Sequence, residues 1–458
     1  MRVAIATLGC KVNQYDTAVM QRLFDEKGWS RVDFNDPADA YVVNSCTVTD
    51  RADADARRMA RRARRRNPDS RVIMTGCYAQ TSPGAVSELD YVDYVIGLGR
   101  LPELLSAVAG ELDSAVSVAD LRHESEVRTL GIESFPGRTR AFVKVQEGCD
   151  LFCTFCIIPV ARGRSRSVPP RTVVEEVLRL EGRGYREVVL TGIHLGGYGA
   201  DLEPACDLAF LLEAIAERRP GLRVRISSVD PPELTPRLID LLCDNNRVFC
   251  PHLHVPIQAA SDPVLQRMGR KYCADEAERA LGSVRERLPD ASLGTDLITG
   301  FPGETESEFE EGLARIQRIG FHYLHVFPYS RRSSTAAAKR WEELPDHEVH
   351  ERARIARRID RDLRRAFEDR FAGTTRTALF EDGRDPQSGM LKGYTDNYLP
   401  VACEGDDSLA GRLVPVRIGE CDGAPQRVGK RLLTTTGAAR AGHAHASSRS
   451  GAESILRP

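Results

Sequence analysis

The chain has 458 residues, of which 41% are hydrophobic and 28% are charged, and its formal net charge is −2. A chain of this length exceeds one compact core and should divide into roughly two to four domains. The near-neutral charge excludes a uniformly basic nucleic-acid binder, so any RNA or DNA contact must come from local basic patches. No apolar run is long enough for a signal peptide or a membrane span, and we expect a cytoplasmic protein.

The first part of the chain alternates β-branched apolar runs with longer amphipathic segments. The runs predicted to be buried strands are residues 2–7, 40–44, 71–75 and 91–96. Strands that alternate with helical segments in this way predict an α/β domain with a doubly wound parallel sheet. We place this N-terminal domain at residues 1–130.

A second series of strands and helices begins near Ala141. Its six candidate strands are residues 141–145, 187–190, 222–227, 252–256, 293–298 and 323–327. Six βα units predict a partial (β/α)6 relative of the eight-stranded barrel. The highly charged segment 347–369 has helical spacing and should close this domain, which we place at residues 137–370.

Beyond this helix the sequence changes in character. Short strand-like runs at residues 377–380, 390–394, 399–402 and 413–418 are separated by Asp and Gly turns. They predict a small all-β barrel at residues 371–436, of the size that binds oligonucleotides. The tail 437–458 is rich in Ala, Gly, Ser and Arg and is predicted to be disordered.

The 12 cysteines of the chain carry most of its functional information. Without an export signal they argue against a disulfide framework, and clustered cysteines in a reducing compartment more often bind metal or catalyse reactions. Six have no ligand spacing and are expected to pack as small hydrophobic side chains: Cys206, Cys243, Cys250, Cys273, Cys403 and Cys421. The other six form two sets of three.

Cys149, Cys153 and Cys156 form a C-x3-C-x2-C motif directly after the first predicted barrel strand. Barrel enzymes carry their active sites at that end of the strands. Three thiolates from one loop can hold three irons of a four-iron cluster and leave the fourth iron open. A zinc site would need a fourth nearby ligand, and residues 141–166 contain no other Cys or His. Three incidental cysteines are the remaining alternative.

This spacing resembles that of the radical S-adenosylmethionine (SAM) superfamily, including an aromatic residue before the last cysteine, here Phe155. The resemblance implies that the open iron chelates SAM, and that one electron cleaves it to methionine and a 5′-deoxyadenosyl radical. Other strand ends share the same rim and are candidates for binding this cofactor, although each is a weak signal alone. With Phe155, these candidates are Thr191, Gly192, Ser227 and Asp296.

Cys10, Cys46 and Cys77 are far apart in sequence, but each follows a predicted strand and a glycine or serine. Ligands in open α/β sheets bind beyond the carboxyl ends of the strands, and neighbouring strands lie roughly 5 Å apart. Three such loops could therefore bring three thiolates to one cluster. The alternative is three buried thiols at unrelated positions.

Across nearly the whole chain, to about residue 435, the sequence resembles the methylthiotransferase family of radical SAM enzymes. The matching stretches are residues 8–15, 44–49, 75–80, 148–166, 190–196, 325–330 and 393–398. The resemblance implies an N-terminal domain with an auxiliary [4Fe–4S] cluster on Cys10, Cys46 and Cys77. It also implies a radical SAM domain with a second [4Fe–4S] cluster on Cys149, Cys153 and Cys156, and a C-terminal RNA-binding TRAM domain.

Three branches of this family modify isopentenyladenosine in tRNA, an aspartate of a ribosomal protein, or threonylcarbamoyladenosine at position 37 of tRNA. The block at residues 8–15 and the Gly-Tyr-Thr-Asp-Asn-Tyr block at residues 393–398 resemble the last branch most closely. Four residues depart from its usual pattern: Asp16 replaces Glu, Val160 replaces Tyr, Ser165 replaces Glu, and Ser334 lies where a Gly-Thr pair is usual. None is a predicted cluster ligand, but Val160, Ser165 and Ser334 could alter substrate contacts.

Adenine C2 bears neither an acidic proton nor a leaving group, so acid–base chemistry cannot replace its hydrogen with sulfur, and a cofactor must supply that step. The resemblance implies two SAM molecules, one that methylates sulfide on the auxiliary cluster and one that provides the radical. It further implies a tRNA anticodon stem–loop as partner, a one-electron donor such as flavodoxin or ferredoxin, and no membrane. We expect a monomer.

Basic and aromatic residues predict where RNA binds. Eight arginines lie between Arg51 and Arg66 on one predicted helix, which is either an RNA-binding or a merely solvated face. The loop that carries Cys149, Cys153 and Cys156 is called the radical loop below. Residues beside this loop and residues of the small β domain are the other candidates for contacts to phosphates and splayed bases: Arg162, Arg164, Arg166, Lys392, Tyr394 and Tyr398.

Two alternatives remain open beside tRNA methylthiolation. The same chemistry could act on a protein side chain, which the mass of the candidate ribosomal protein would show. A two-cluster electron carrier is the other class, and it should not cleave SAM under reducing conditions.

Overall fold

The computed structural model describes residues 1–124, 127, 131–132, 134–135, 137–386 and 388–419, and the backbone of 431–434. The predicted disorder of the tail 437–458 and the predicted packing of Cys421 fall outside these residues. In the part of the chain that is described, no helix is both long and apolar enough to cross a membrane.

The first unit is a six-stranded parallel sheet in the order β2-β1-β3-β4-β5-β6. Its strands are β1 (Arg2–Thr7), β2 (Ser30–Val32), β3 (Ala40–Ser45), β4 (Arg71–Thr75), β5 (Tyr94–Ile96) and β6 (Val116–Ser117). Its helices are α1 (Lys11–Glu26), α2 (Asp50–Arg66), α3 (Gly76–Thr81), α4 (Pro83–Ser87) and α5 (Leu104–Ala109).

Successive side chains of the central strands point to opposite faces of this sheet, and both faces are covered by helices. On β3, Tyr41 and Val43 pack in the same core cluster as the alanines of α2. The intervening Ala40 and Val42 pack with residues of α1 and α5 on the other face. Side chains of a strand alternate between the two faces, so a strand that is apolar throughout must be buried on both. The sheet is therefore doubly wound.

The second unit contains six parallel strands in sequential order. Its elements begin with β7 (Ala141–Lys144), β8 (Gln146–Glu147), β9 (Arg166–Ser167), β10 (Glu187–Thr191), β11 (Arg223–Ile226), β12 (His252–His254), β13 (Ser292–Thr299) and β14 (Tyr323–Pro328). Strands β11-β10-β7 and β12-β13-β14 form two parallel sheets. Single bridges, such as the one between Ser228 and His254, connect β11 to β12. The resulting order β7-β10-β11-β12-β13-β14 is that of the predicted partial barrel.

Helices surround these strands, and β8 pairs with β9 as a short antiparallel ladder. The helices are α6 (Ile158–Arg162), α7 (Pro170–Gly182), α8 (Leu208–Glu217), α9 (Pro236–Asp244), α10 (Asp262–Met268), α11 (Ala274–Arg287), α12 (Glu306–Ile319), α13 (Ala337–Arg340) and α14 (Asp346–Arg370). The long charged helix α14 lies against β14, where the Leu324 amide donates to the Asp360 carboxylate at 2.7 Å.

The C-terminal unit is a closed five-stranded barrel in the order β15-β16-β17-β19-β18. Its strands are β15 (Thr375–Arg384), β16 (Leu391–Thr395), β17 (Pro400–Cys403), β18 (Leu413–Ile418) and β19 (Arg431–Thr434). Phe380, Leu391, Val401 and Val416 fill its interior. It meets the partial barrel through Arg225, which lies at 3.0 Å from the Asp396 carbonyl oxygen.

Candidate metal centre

The first cysteine set lies at the carboxyl edge of the N-terminal sheet. Cys10, Cys46 and Cys77 follow β1, β3 and β4, which are adjacent strands. One atom, Asn13 Oδ1, lies 3.9 Å from both the Cys10 and the Cys77 sulfur atoms. The structure therefore brings the three predicted loops to one place.

Gly9 allows the first of these loops to approach the second. Its φ is +94°, and a Cβ at this position would lie 2.9 Å from the Cys46 sulfur and 2.7 Å from the Cys46 Cβ. Both the backbone conformation and the close contact require glycine here.

The second cysteine set occupies the loop after β8. The Leu151 amide lies 3.5 Å from the Cys149 sulfur, and an Arg270 guanidinium nitrogen lies 3.6 Å from the Cys153 sulfur. The loop is attached to α10, because the amide and hydroxyl of Thr154 donate to the Met268 and Arg267 carbonyls at 2.9 and 2.7 Å.

The spacing of the sulfur atoms distinguishes between the predicted cluster and the zinc alternative. Zinc–sulfur bonds of about 2.3 Å in a tetrahedral site would place the sulfur atoms about 3.8 Å from one another. Among the described residues, the groups of three ligand atoms that lie within 4.8 Å of one another include neither cysteine set. Among the described residues, neither set is therefore as closely spaced as a single zinc ion requires, and the larger iron–sulfur cluster stays the prediction.

Burial favours the protonated form of several of these thiols. It raises the pKa of Cys77 and of Cys156 to about 12, and that of Cys149 to about 11. Thiolates are the species that bind iron, so cluster binding must displace these protons.

A fully buried arginine, Arg162, connects the two cysteine sets. It donates to Asn13 Oδ1 at 2.5 Å, the oxygen that also contacts the Cys10 and Cys77 sulfur atoms. The same guanidinium pairs with Asp16 at 2.9 Å and with Glu147 at 2.5 Å. Asp16 belongs to α1 of the N-terminal unit, whereas Glu147 precedes the radical loop.

Lys144 completes this buried network. Its ammonium lies 3.1 Å from Asp16 and 3.0 Å from Glu147, so two cations face two carboxylates. Burial acts to raise the pKa of Glu147, but Lys144 and Arg162 lower it to about 2. The four charges balance and hold the two units together between the cysteine sites.

The burial of Arg162 and Arg166 corrects a prediction from the sequence. Their exposed fractions are 0% and 6%, and Arg166 donates to the Arg162 carbonyl at 2.7 Å. Neither guanidinium can contact RNA phosphates from this position. Arg164 differs, because its side chain is 63% exposed and lies beside Asp150 and the exposed ring of Phe152.

The aromatic candidates of the C-terminal barrel also lie elsewhere than predicted. Tyr394 and Tyr398 stack on each other with ring centres 4.8 Å apart, and the Arg140 guanidinium covers both rings. Tyr398 also packs against His252 of the partial barrel. These rings therefore join two units and are not a free surface for bases. Lys392 is partly exposed.

The arginines of α2 are mostly engaged with their own unit. Arg57 donates to the Tyr78 hydroxyl at 2.9 Å, and Arg61 lies over the Tyr91 ring. Arg64 pairs with Asp93 at 2.5 Å. These contacts stabilise the N-terminal unit, and both the RNA-binding and the solvated-face interpretation of this helix stay predictions.

Two cavities meet at Cys156. One, of about 220 Å³, is lined by the predicted cofactor residues Phe155 and Asp296 and by Val48 and Thr49, which follow Cys46. The other, of about 1290 Å³, is lined by Cys153, Val160, Arg164 and Ser334, among others. The space near the radical loop is thus shared by both units.

The remaining cofactor candidates lie around the same strand ends. Thr191 is buried, and its carbonyl accepts from the Val145 amide at 2.9 Å. Gly192 leaves room for Gln146, whose oxygen would lie 3.0 Å from an added Cβ. The buried Ser227 hydroxyl has no hydrogen-bond partner among the described residues.

Two groups of side chains that could hold a metal ion were not predicted as groups from the sequence, although Asp296 of the first was a cofactor candidate. Asp296 accepts from His254 at 3.0 Å and from His325 at 3.2 Å. Burial acts to raise the pKa of Asp296, but the two histidines lower it well below its usual range.

The second group contains His194, Asp230 and Glu233, where Arg270 pairs with Asp230 at 2.8 Å. Histidines and carboxylates scattered over separate strands leave no motif by which to find these groups.

The four departures from the branch pattern lie close to the two sites. Asp16 is a member of the buried network, and the Ser165 hydroxyl accepts from Gln146 at 2.9 Å. Val160 and Ser334 both line the larger cavity. The last two are therefore placed to contact a substrate.

The fold belongs to a known class. A family model described as the radical SAM superfamily matches residues 143–316, and one described as uncharacterized protein family UPF0004 matches residues 2–97. A solved structure of the radical SAM methyltransferase TsrM from Kitasatospora setae aligns with a TM-score of 0.54 and 19% identity, covering 74% of this chain and 75% of that one. The partial barrel and the loop with three cysteines are thus those of a radical SAM protein.

Curated relatives specify the family. The threonylcarbamoyladenosine tRNA methylthiotransferases MtaB of Bacillus subtilis and Aquifex aeolicus are 39% and 38% identical to this chain, each over 91% of it and over 93% and 100% of their own lengths. A tRNA-2-methylthio-N(6)-dimethylallyladenosine synthase of Symbiobacterium thermophilum is 33% identical over 91% of this chain and 92% of its own. The chain belongs to the methylthiotransferase family of radical SAM enzymes.

Proposed function

We propose that this protein is a tRNA methylthiotransferase that converts N6-threonylcarbamoyladenosine at position 37 to its 2-methylthio derivative. The observation that carries the proposal is the placement of two cysteine triads on two units that share a cavity. Cys156 of the radical loop lines the same space as Val48 and Thr49, which lie two and three residues after Cys46. A base that enters there can meet a radical source on one side and a sulfur source on the other.

The cysteine triads fit two [4Fe–4S] clusters, which with SAM would supply the radical and sulfur-transfer chemistry that no side chain offers. The protein's own residues organise the site. Gln146 accepts from the Ile193 and His194 amides at 2.9 Å each and so holds the loop after β10 beside the radical loop. Arg270 places a positive charge beside Cys153, where it offsets the negative charge of a thiolate.

The target adenine must leave its stack to reach this cavity. We propose that Arg164 and Lys392 contact the RNA, since both remain accessible to solvent. The closed barrel is proposed to be the TRAM domain, which would bind the anticodon stem–loop. A tRNA substrate and an electron donor such as flavodoxin or ferredoxin would be met in the cytoplasm, and we propose a monomer.

The nucleosides of tRNA from cells with and without the gene test this function. We expect 2-methylthio-threonylcarbamoyladenosine to disappear on deletion and to return with the wild-type gene but not with Cys153→Ala. An unchanged level of that nucleoside after deletion would contradict the proposal. Loss of 2-methylthio-isopentenyladenosine, or a mass change in a ribosomal protein, would instead support one of the other two branches.

A further inference from the structure

Lys11 is an unpaired cation at the junction of the two cluster sites. It directly follows Cys10 and is only partly exposed. Its ammonium makes no hydrogen bond or ion pair with any residue that the structure describes. The titratable groups that act on it electrostatically are Arg225, Arg140, Cys10 and Asp296.

The one carboxylate in that set is already engaged. Asp296 accepts from His254 at 3.0 Å and from His325 at 3.2 Å, so its charge is shared with two imidazoles. Arg225 is a second cation and cannot neutralise Lys11. It is itself paired with Glu187 at 2.8 Å. Among the described residues, Lys11 therefore has no carboxylate counterion of its own.

A partly buried cation without a partner is costly unless a ligand provides one. Lys11 interacts electrostatically with Asp296, and Asp296 lines the cavity that also contains Cys156, so the charge of Lys11 acts on the space where we place the target base. Half-exposed His325 lies on the same rim and adds a donor. The positive charge of Lys11 and the imidazole of His325 favour a target base that carries an anionic substituent over one that carries an apolar substituent.

We propose that Lys11, assisted by His325, binds the carboxylate of the threonylcarbamoyl group and so selects this substrate over isopentenyladenosine. The inference rests on the proposed function, and it names a specificity residue for that reaction. An isopentenyl group carries no charge and would leave the ammonium unpaired. Lys11 would thereby also fix the orientation of the base beside the sulfur-donating site.

The experiment compares anticodon stem–loop RNAs that differ only at this group. One carries threonylcarbamoyladenosine, the second carries its neutral carboxamide, and the third carries isopentenyladenosine. With reconstituted holoenzyme, we expect the wild type to prefer the acid over the carboxamide in kcat/KM. Lys11→Met should lower kcat/KM for the acid by roughly 10- to 100-fold, as expected for loss of a charge-assisted hydrogen bond, and leave the carboxamide nearly unchanged.

Two control variants separate recognition from damage. Lys11→Arg should retain most of the preference for the acid, and Lys27→Met, which removes an exposed lysine just beyond the same helix, should behave as wild type. Iron content and SAM cleavage without RNA are measured for each variant, because Lys11 adjoins Cys10. If a variant loses iron, equilibrium binding of the three RNAs to the cluster-free proteins gives the same comparison.

Equal losses on the acid and the carboxamide, or no loss on either, would overturn the role of Lys11. Failure of the wild type to methylthiolate the acid RNA would instead contradict the proposed function. The two failures are thus distinguishable.

Discussion

Three arginines that alternate along the sequence occupy different environments in the structure. Arg162 and Arg166 are buried, whereas the side chain of Arg164 is 63% exposed. Nothing local in the sequence separates them, because two partners of Arg162, Asn13 and Asp16, come from α1, almost 150 residues earlier. Sequence could therefore predict that the cysteines of the first set lie together at the strand ends, but not which nearby cation lies beside them.

Replacing Arg162 should destabilise the junction between the units. Arg162→Met leaves Asp16 and Glu147 with Lys144 alone, and removing one partner of a buried ion network costs about 3–5 kcal/mol. The solvent-exposed Arg164→Met should change the free energy of unfolding by less than about 0.5 kcal/mol. Urea unfolding of the cluster-free proteins measures both. Similar losses in the two variants would contradict the structural role of Arg162.

Removing one cysteine from each triad should separate the two activities. Cys46→Ala should lose about half of the bound iron yet still cleave SAM without RNA. Cys153→Ala should lose a similar amount and cleave none, because the open cluster lies on its own triad. Cys250→Ala, a buried cysteine of neither triad, serves as control. SAM cleavage by Cys153→Ala would contradict this assignment.

Among the structural elements, the long apolar strands were predictable and the short ones were not. Residues 71–75 and 413–418 are strands with the predicted bounds. The missed strands Ser30–Val32 and Val116–Ser117 lie at the two edges of the first sheet. Edge strands bury less of their surface and so carry a weaker apolar pattern.

Another pair of strands was not predicted because it forms between segments that are distant in the sequence. Gln146–Glu147 pairs with Arg166–Ser167 around the radical loop, and neither pair of residues forms an apolar run. This ladder returns the chain to its start and so sets the size of the loop that carries the second triad. It depends on partners brought together by the fold, which a local pattern does not contain.

Gly148, at the start of that loop, should not tolerate a side chain. Its φ is +74°, and an added Cβ would lie 1.8 Å from the Arg164 carbonyl oxygen. Gly148→Ala should therefore displace the radical loop, with loss of SAM cleavage and about half of the iron. Gly373→Ala is the matched control, since its φ is +77° with no atom within 4 Å; it should cost only about 1 kcal/mol. Normal iron content in Gly148→Ala would show that the loop can shift.

At the scale of the whole molecule, a buried charge cluster holds the C-terminal barrel against the partial barrel. Glu187 is fully buried and pairs with Arg223 at 2.6 Å and Arg225 at 2.8 Å. Arg223 in turn donates to the Thr377 and Tyr394 carbonyls of the C-terminal barrel, at 3.0 Å each. One carboxylate thus orients the cations that cross between the units.

This arrangement predicts how stability depends on pH. Burial acts to raise the pKa of Glu187, but Arg225 and Arg223 lower it from 4.5 to about 2. Since the folded protein holds this carboxylate ionised more strongly than the unfolded chain does, its contribution is complete above about pH 4.5 and is lost as the pH falls toward 2.

Glu187→Gln tests that dependence in the cluster-free protein. The difference in the free energy of unfolding between wild type and variant should be largest near neutral pH and should shrink below pH 4.5. The exposed Glu217→Gln is the matched control and should show a small difference at every pH. Because other carboxylates titrate equally in wild type and variant, the difference isolates Glu187. A difference that stays constant from pH 7 to pH 3 would mean that Glu187 acts through packing and not through its charge.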